Sequence, residues 1–449
     1  MGFRLGDTYK NIPRITTQDL KRLLPFYIVK SFYGRERRTP LMVHGYFGEG
    51  KTEIVKRICE EVADELGVKA YHNTRYWEVD GRRLHLNTLM ASGLDPSETK
   101  GMPDVREVAG AKVTEWALPW WWVPEGVGPD VYFVLFLDEL NCAQTFQWTT
   151  LREAVNSGVL GGVKCARKSA FLAAVNPPEY SSDVQQELSL PFLNRFCHLY
   201  VDSDYGDWRE WALGGSDGRV GEYVSLAVSS AKHGLSGMRI DPRIVAFHEM
   251  HRGAKLREVV TESDRDRHIA VPTPRSWHMA SELIRGVPTK EDTIDLLTLL
   301  VASAVGMPVA MEFRAFLELY RELGDPNVVL DDPERFFSEV SSKPREKRIG
   351  LTYIAVFAVS DFIRSILGLP RRERDREFGK VVRFLKASKP VSREIPAHEM
   401  LLMMTAMIPG DSKTELVDTL GYWKTRDKFF SDVLFKSAEI NLEVSALVK

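Results

Sequence analysis

Gly45-Tyr46-Phe47-Gly48-Glu49-Gly50-Lys51-Thr52 settles the architecture of this 449-residue chain before any other segment is considered. It has the form G-x-x-x-x-G-K-T, and its flanks are those that such a loop requires. Ahead of it, Pro40-Leu41-Met42-Val43-His44 is a short apolar run ending in glycine, as a buried parallel strand does. Behind it, Ile54, Val55, Ile58, Cys59, Val62 and Leu66 recur at helical spacing, and Gly67 suits a C-cap. A strand, a glycine-rich loop and a helix N-terminus in that order form a phosphate cradle. Glycines let successive backbone N–H groups converge on phosphate oxygens, and the helix end adds partial positive charge. Lys51 then neutralises the β- and γ-phosphates, and the Thr52 hydroxyl is a ligand for Mg²⁺. The expected ligands are ATP and Mg²⁺, the nucleotide held by Gly45, Gly48, Glu49, Gly50, Lys51, Thr52 and Glu53.

Further along, Val131 to Leu137 and Ala170 to Val175 are unbroken apolar runs, which read as central strands buried on both faces. Strands alternating with helices predict an α/β fold, a doubly wound parallel sheet of the P-loop kind, over residues 1–203. The first of these runs ends in Phe136-Leu137-Asp138-Glu139 and so delivers two carboxylates to the sheet edge where ligands bind. Asp138 is expected to hold Mg²⁺ through water, with Glu139 orienting and polarising the attacking water. Phosphoryl transfer asks mostly for such positioning and charge stabilisation. The second run ends at Asn176, ahead of Pro177-Pro178. Its amide can bond both water and a γ-phosphate, or it can simply initiate a turn; the residues alone leave both readings open.

Residues 100–130 carry Gly101, Pro103, Gly110, Pro119, Pro124, Gly126 and Gly128 with Trp116, Trp120, Trp121 and Trp122 interleaved. They predict a hairpin or loop insertion whose tryptophans are buried anchors. From residue 204 helical periodicity dominates, with a loop at 214–218 and breaks at Asp331-Asp332-Pro333 and Ser341-Ser342-Lys343-Pro344. The run from Arg371 to Arg376 has mixed signs and reads as a solvated helix face. His248-Glu249-Met250-His251 is not H-E-x-x-H and reads as an ordinary helix face.

A formal net charge of −2 gives no bulk attraction for nucleic acid or an anionic membrane. The N-terminal residues lack the apolar core of a signal peptide. The most apolar long stretch, Leu296 to Met311, is interrupted by Thr298, Ser303, Gly306 and Pro308, and it predicts a buried helix rather than a membrane span. Four cysteines without a C-x-x-C pair suit buried thiols in a reducing cytoplasm.

Together these elements resemble an AAA+ ATPase, and within that superfamily the MoxR-like branch. Asp138-Glu139-Leu140-Asn141 is similar to the branch's Asp-Glu-Leu-Asn motif, followed by a helix over residues 144–157 and a hairpin from Gly158. By resemblance Asn176 is sensor 1, Arg195 in Asn194-Arg195-Phe196 the arginine finger, and Arg275 in Pro272-Thr273-Pro274-Arg275-Ser276-Trp277 the sensor-2 arginine. Sequence position alone makes both arginines surface or cap residues. The planar guanidinium fork suits the phosphate role that the resemblance implies. Asp95-Pro96 and Gly101-Met102-Pro103 look like the lead into the branch's helix-2 insertion. The likeness spans residues 15–285, and Val305 to Phe316 looks like the helical extension of relatives encoded beside von Willebrand factor A-like proteins. Phe47 stands where many relatives have proline, and Cys142 where the acidic motif usually continues with arginine.

The resemblance implies an AAA+ core (1–203), an α-helical lid (204–290) and a helical C-terminal extension (291–449). It also implies a homo-oligomeric ring, commonly a hexamer, that spends ATP hydrolysis on remodelling a protein partner, such as one with a von Willebrand factor A-like domain. A nucleic-acid-stimulated motor and a nucleotide-gated assembly scaffold with little turnover are the alternative readings.

Overall fold

The computed structural model describes residues 3, 7–34, 39–177, 188–213, 219–232, 239–261, 268–323, 329–408 and 412–440; the loop expected at 214–218 and Pro178 lie outside these. The chain divides into two units. The first comprises Met1–His233, Arg257–Val287 and Asp295–Met311, and the second Gly234–Leu256, Pro288–Ile294 and Glu312–Lys449. Residues 204–290 contribute to both.

In the first unit, β1 (Thr8–Tyr9) and β2 (Ile12–Ile15) precede helix α1 (Thr17–Tyr33). Strand β3 (Leu41–Gly45) then leads into α2 (Lys51–Glu65), β4 (Lys69–His72), β5 (Arg83–Met90) and α3 (Pro96–Lys100). After α3 the hairpin β6 (Met102–Val108) and β7 (Ala111–Ala117) occupies the expected insertion, with seven antiparallel pairs in register. Strand β8 (Val131–Asp138), α4 (Thr145–Ser157), the small pair β9 (Val159–Leu160) and β10 (Val163–Lys164), β11 (Lys168–Val175), α5 (Leu190–Leu193) and β12 (Cys197–Val201) complete the core.

Eight strands form one sheet in the order β1-β2-β12-β3-β11-β8-β5-β4, parallel throughout except for β1 with β2. The α/β, doubly wound class read from the sequence is the observed one. Strand β3 lies between β11 and β12, the last two strands to be made, so the chain leaves β3 for one edge of the sheet and returns to both of its sides. That reversal opens a crevice at the carboxyl ends of β3, β11 and β8, the place where open α/β sheets bind ligands. Both faces are apolar because both are covered. On one, Met42, Phe133, Leu135, Leu137, Phe171 and Ala173 pack with Leu151 and Ala154 of α4 and with Trp121 and Trp122. Trp121 and Trp122 are fully buried, and their N–H groups reach the carbonyls of Glu98 (2.7 Å) and Val163 (3.2 Å). Trp116 and Trp120 are only partly buried.

The first unit also holds α6 (Tyr205–Ala212), α7 (Val220–Lys232), α9 (Pro274–Ile284) and α10 (Ile294–Val305). The stretch Leu296–Met311, expected as one buried helix, is two: α10 ends at Val305 and α11 (Met307–Leu323) starts after Gly306. Gly306 has φ of +90°, and a Cβ there would stand 2.8 Å from Asn11 Nδ2. The break lets the Met307 N–H donate to the Asn11 carbonyl at 2.8 Å, so a local turn overrides the continuous apolar pattern.

The second unit is helical. Helix α8 (Pro242–Met250) presents Phe247 to Phe313 and Phe316 with ring centroids 5.3 and 5.9 Å apart, and His251 Nδ1 lies 2.8 Å from the Phe247 carbonyl. Asp332 caps the helix Pro333–Ser341, and the next helix begins at Arg345, so the two breaks fall where the prolines put them. In the helix Arg371–Ala387 most of the arginines are exposed, but Arg374 is buried and donates to Thr419 Oγ1 at 2.8 Å. Among the described residues one helix, Lys347–Leu367, is long and apolar enough to cross a membrane; 67% of it is buried, as in a core helix.

Candidate functional site

Gly45 closes β3, where β12 runs alongside. A Cβ at Gly45 would stand 2.8 Å from the Val201 carbonyl oxygen, so the loop can leave the sheet at this point only if no side chain intervenes. The chain then passes Tyr46 and Phe47, exposed and stacked at 4.0 Å, and re-enters at Lys51, the first residue of α2. Lys51 is buried. Its Nζ donates to the carbonyls of Gly45 (2.8 Å) and Tyr46 (2.7 Å) and to Asn176 Oδ1 (3.4 Å). Burial lowers the lysine's pKa, and the charges of Asp138, Glu49 and Glu139 offset part of that lowering.

Asp138, the last residue of β8, accepts a hydrogen bond from Thr52 Oγ1 at 2.6 Å. The pair places a hydroxyl and a carboxylate, both hard oxygen donors of the kind Mg²⁺ takes, across the crevice from Lys51. Glu139 follows in left-handed backbone, φ 50° and ψ 41°, which non-glycine residues seldom adopt. Two bonds hold it there: its N–H donates to Asp138 Oδ1 (3.0 Å), and its carbonyl accepts from Cys142 N (2.9 Å). Its carboxylate accepts from Ser92 Oγ at 3.1 Å. Asn141 ties the two acidic and amide strand ends together, with Nδ2 donating to the Asn176 carbonyl at 2.7 Å and Oδ1 3.4 Å from the Asn176 N–H.

The structure therefore gathers Gly45, Lys51, Thr52, Asp138, Glu139 and Asn176 at one crevice. Glu49 is anchored just outside it, where its carboxylate accepts from the N–H (2.9 Å) and the hydroxyl of Ser203, past the end of β12. Glu53 is exposed in the first turn of α2, and its carboxylate hydrogen-bonds none of the described residues. Ser92 and Ser203 are contacts that motif reading did not single out, and Asn141 stood in a motif without a role assigned to it. Each lies just past the carboxyl end of a sheet strand, and that position was the available signal.

Arg195 and Arg275 are elsewhere. The register Cys197↔Leu41 and Val201↔Gly45 puts Arg195, two residues before β12, at the amino end of the strand whose carboxyl end meets the loop. The five residues of the strand, four steps from end to end, separate the two ends by about 13 Å. Arg195 Nη1 donates to the Pro191 carbonyl, while its buried Nε has no hydrogen-bond partner among the described residues. Arg275 is in the first turn of α9, whose capping residue Thr273 donates to Asn194 Oδ1 at 3.2 Å. Burial, and then the charges of Arg275 and Arg152, lower the pKa of Arg195. The two predicted arginines thus lie together, at the far end of β12 from the phosphate loop of their own chain.

No protein-family model matches this chain, and no curated protein matches it. It is similar in structure to a chain from Cytophaga hutchinsonii described provisionally as an ATPase: 12% identical, TM-score 0.36, with 69% of this chain and 89% of that one covered. It is also similar to a full-length MCM homolog from Methanopyrus kandleri, 11% identical with a TM-score of 0.32, covering 67% of this chain and 54% of that one. Both likenesses are remote.

Proposed function

We propose that this chain is a MoxR-like AAA+ ATPase that hydrolyses ATP as an oligomeric ring, in the cytoplasm, and spends the turnover on remodelling or assembling a protein partner. The observation that carries the hydrolytic part is the hydrogen-bonded set Lys51, Thr52, Asp138, Glu139 and Asn176 at the switch point of a 12-3-11-8-5 strand order. The ring is supported by the far-end position of Arg195: a finger that cannot serve its own loop serves another chain's. Four free, buried cysteines support a reducing compartment. The protein partner rests on the resemblance alone.

The residues fit the work. Backbone N–H groups of the loop and Lys51 would bind the triphosphate. Thr52 and Asp138 would hold Mg²⁺, which when bound neutralises charge developing on the phosphate oxygens. Glu139 would take a proton from the water that attacks the γ-phosphorus, as the bond to the bridging oxygen breaks and its electrons leave with ADP. Asn176, fixed by Asn141, would orient that water. A finger arginine from the next chain would stabilise the transferring phosphoryl group.

The test is Glu139→Gln. The amide keeps the size of the side chain but accepts no proton, so ATP binding should stay and turnover should fall by roughly 10²–10⁴, the range of a positioned acid or base. Turnover equal to that of the unsubstituted chain would remove Glu139 from this role. With ATP present the same variant is a trap, and protein co-purifying with it identifies the partner.

A further inference from the structure

We infer that Arg152 is a third member of the arginine group formed with Arg195 and Arg275, and that the three together bind the nucleotide phosphates of a second copy of this chain. The inference rests on the ring reading above and names a residue that the motifs do not.

Three segments converge at the amino end of β12. Helix α4 carries Trp148 and, one turn later on the same face, Arg152. The Trp148 ring packs edge-on against Phe192 of α5, centroids 4.8 Å apart, three residues before Arg195. The Asn194–Thr273 hydrogen bond then joins α5 to the first turn of α9, where Arg275 lies. One aromatic contact and one hydrogen bond thus bring three guanidinium groups from distant parts of the sequence into one field, and Arg195 senses both of the others.

Among the described residues none of the three takes part in an ion pair, and the one hydrogen bond to any of the guanidiniums is that of Arg195 to the Pro191 carbonyl. The Arg195 Nε is a buried donor without an acceptor, and such a group costs free energy unless a partner arrives. Like charges held together without acids fit a multiply charged anion, and guanidinium forks fit phosphate oxygens. The other end of the same strands is its complement: Glu49, Asp138 and Glu139 surround Lys51, and a bound triphosphate adds charge of the same sign as theirs. An acidic end and a basic end on one chain pair head to tail, the arrangement that closes rings. Arg152 is exposed, as a group that reaches a second chain has to be.

The unsubstituted chain, Arg152→Ala and Arg152→Lys are to be compared by sedimentation with a non-hydrolysable ATP analogue, and by steady-state turnover with ATP. Because Arg152 is exposed, its truncation leaves the fold intact. Arg152→Ala should raise the concentration needed for analogue-dependent assembly about tenfold, the equivalent of one charge-assisted hydrogen bond, and should lower turnover comparably. Arg152→Lys should fall between the two. Assembly of Arg152→Ala at the same concentration as the unsubstituted chain overturns the inference, and so does failure of the unsubstituted chain to assemble on the analogue. Loss of binding to a single-stranded oligonucleotide with assembly unchanged overturns it in favour of a nucleic-acid surface. A chain that assembles on the analogue through Arg152 but turns over no ATP sinks the hydrolytic reading and leaves this one standing.

Discussion

The two ends of strand β12 handle charge in opposite ways. At the carboxyl end, the charged groups in and beside the crevice have partners in their own chain: Lys51 has three oxygens, Asp138 has Thr52, Glu139 has Ser92 and Glu49 has Ser203. At the amino end, Arg195 has one carbonyl, an empty Nε and two arginines for company. The first arrangement is a site preorganised for a ligand that completes it. The second is tolerated because part of it reaches solvent, which screens the like charges. A buried donor left unmatched within a chain is a reason to look for its acceptor outside that chain.

Arg195→Ala breaks this contrast most severely. Turnover should fall by about 10³ or more, the scale of an arginine finger, while nucleotide binding to the variant's own loop is untouched. Mixing supplies the decisive measurement. Lys51→Ala chains hold no nucleotide but keep their arginines, so adding them to Arg195→Ala chains should restore part of the turnover. A mixture as inactive as its components would return Arg195 to its own chain's site or to a purely structural role.

The two ends also differ in how far the sequence reveals them. The loop end follows from spacing, because phosphate chemistry fixes residue types over eight consecutive positions and a seven-residue apolar run announces β8. Glu139 was legible for the same reason, but its left-handed backbone was not, since no glycine or asparagine marks it. The arginine end is assembled from α4, α5 and α9, whose residues meet only through tertiary contacts such as Trp148 on Phe192. Arg195 and Arg275 were visible through a resemblance, and Arg152 through neither spacing nor resemblance. Likewise the apolar run 296–311 hid the break at Gly306, because the cause is a long-range bond to Asn11.

A buried histidine pair links the ends, and pH probes it. His44, immediately before Gly45, lies with Nε2 3.1 Å from His198 Nδ1, and His198 Nε2–H donates to the Leu193 carbonyl at 2.9 Å, two residues before Arg195. Burial lowers His198 from 6.5 to about 4. Burial, then the charges of His198, Lys10 and Lys51, lowers His44 as well. Depressed values mean that the fold favours the neutral rings. Their contribution to stability is present above pH 6.5 and is lost as pH falls toward 4, at about 1.4 kcal/mol per pH unit for each such group. Thermal unfolding should therefore shift downward across that window, and His198→Gln should flatten the slope by one group's share. His85 and His248, each also pushed to about 4 by burial, remain in the variant as background. An unchanged slope in His198→Gln would mean that the ring is already charged in the fold.

The smallest effect belongs to Ser92, which sharpens the contrast from the loop side. Among the described residues its hydroxyl hydrogen-bonds the Glu139 carboxylate alone. A group that orients a base acts through it, so truncation should disturb the chemical step and leave binding alone. With about 0.5–1.5 kcal/mol at stake in one such hydrogen bond, Ser92→Ala should lower kcat a few-fold at constant KM. Ser92→Thr, which keeps the hydroxyl, should recover most of it. In the Glu139→Gln background the same substitution should do almost nothing, because the proton acceptor it positions is gone. A loss that persists there, or a rise in KM in place of a fall in kcat, would make Ser92 a contributor to nucleotide binding in its own right.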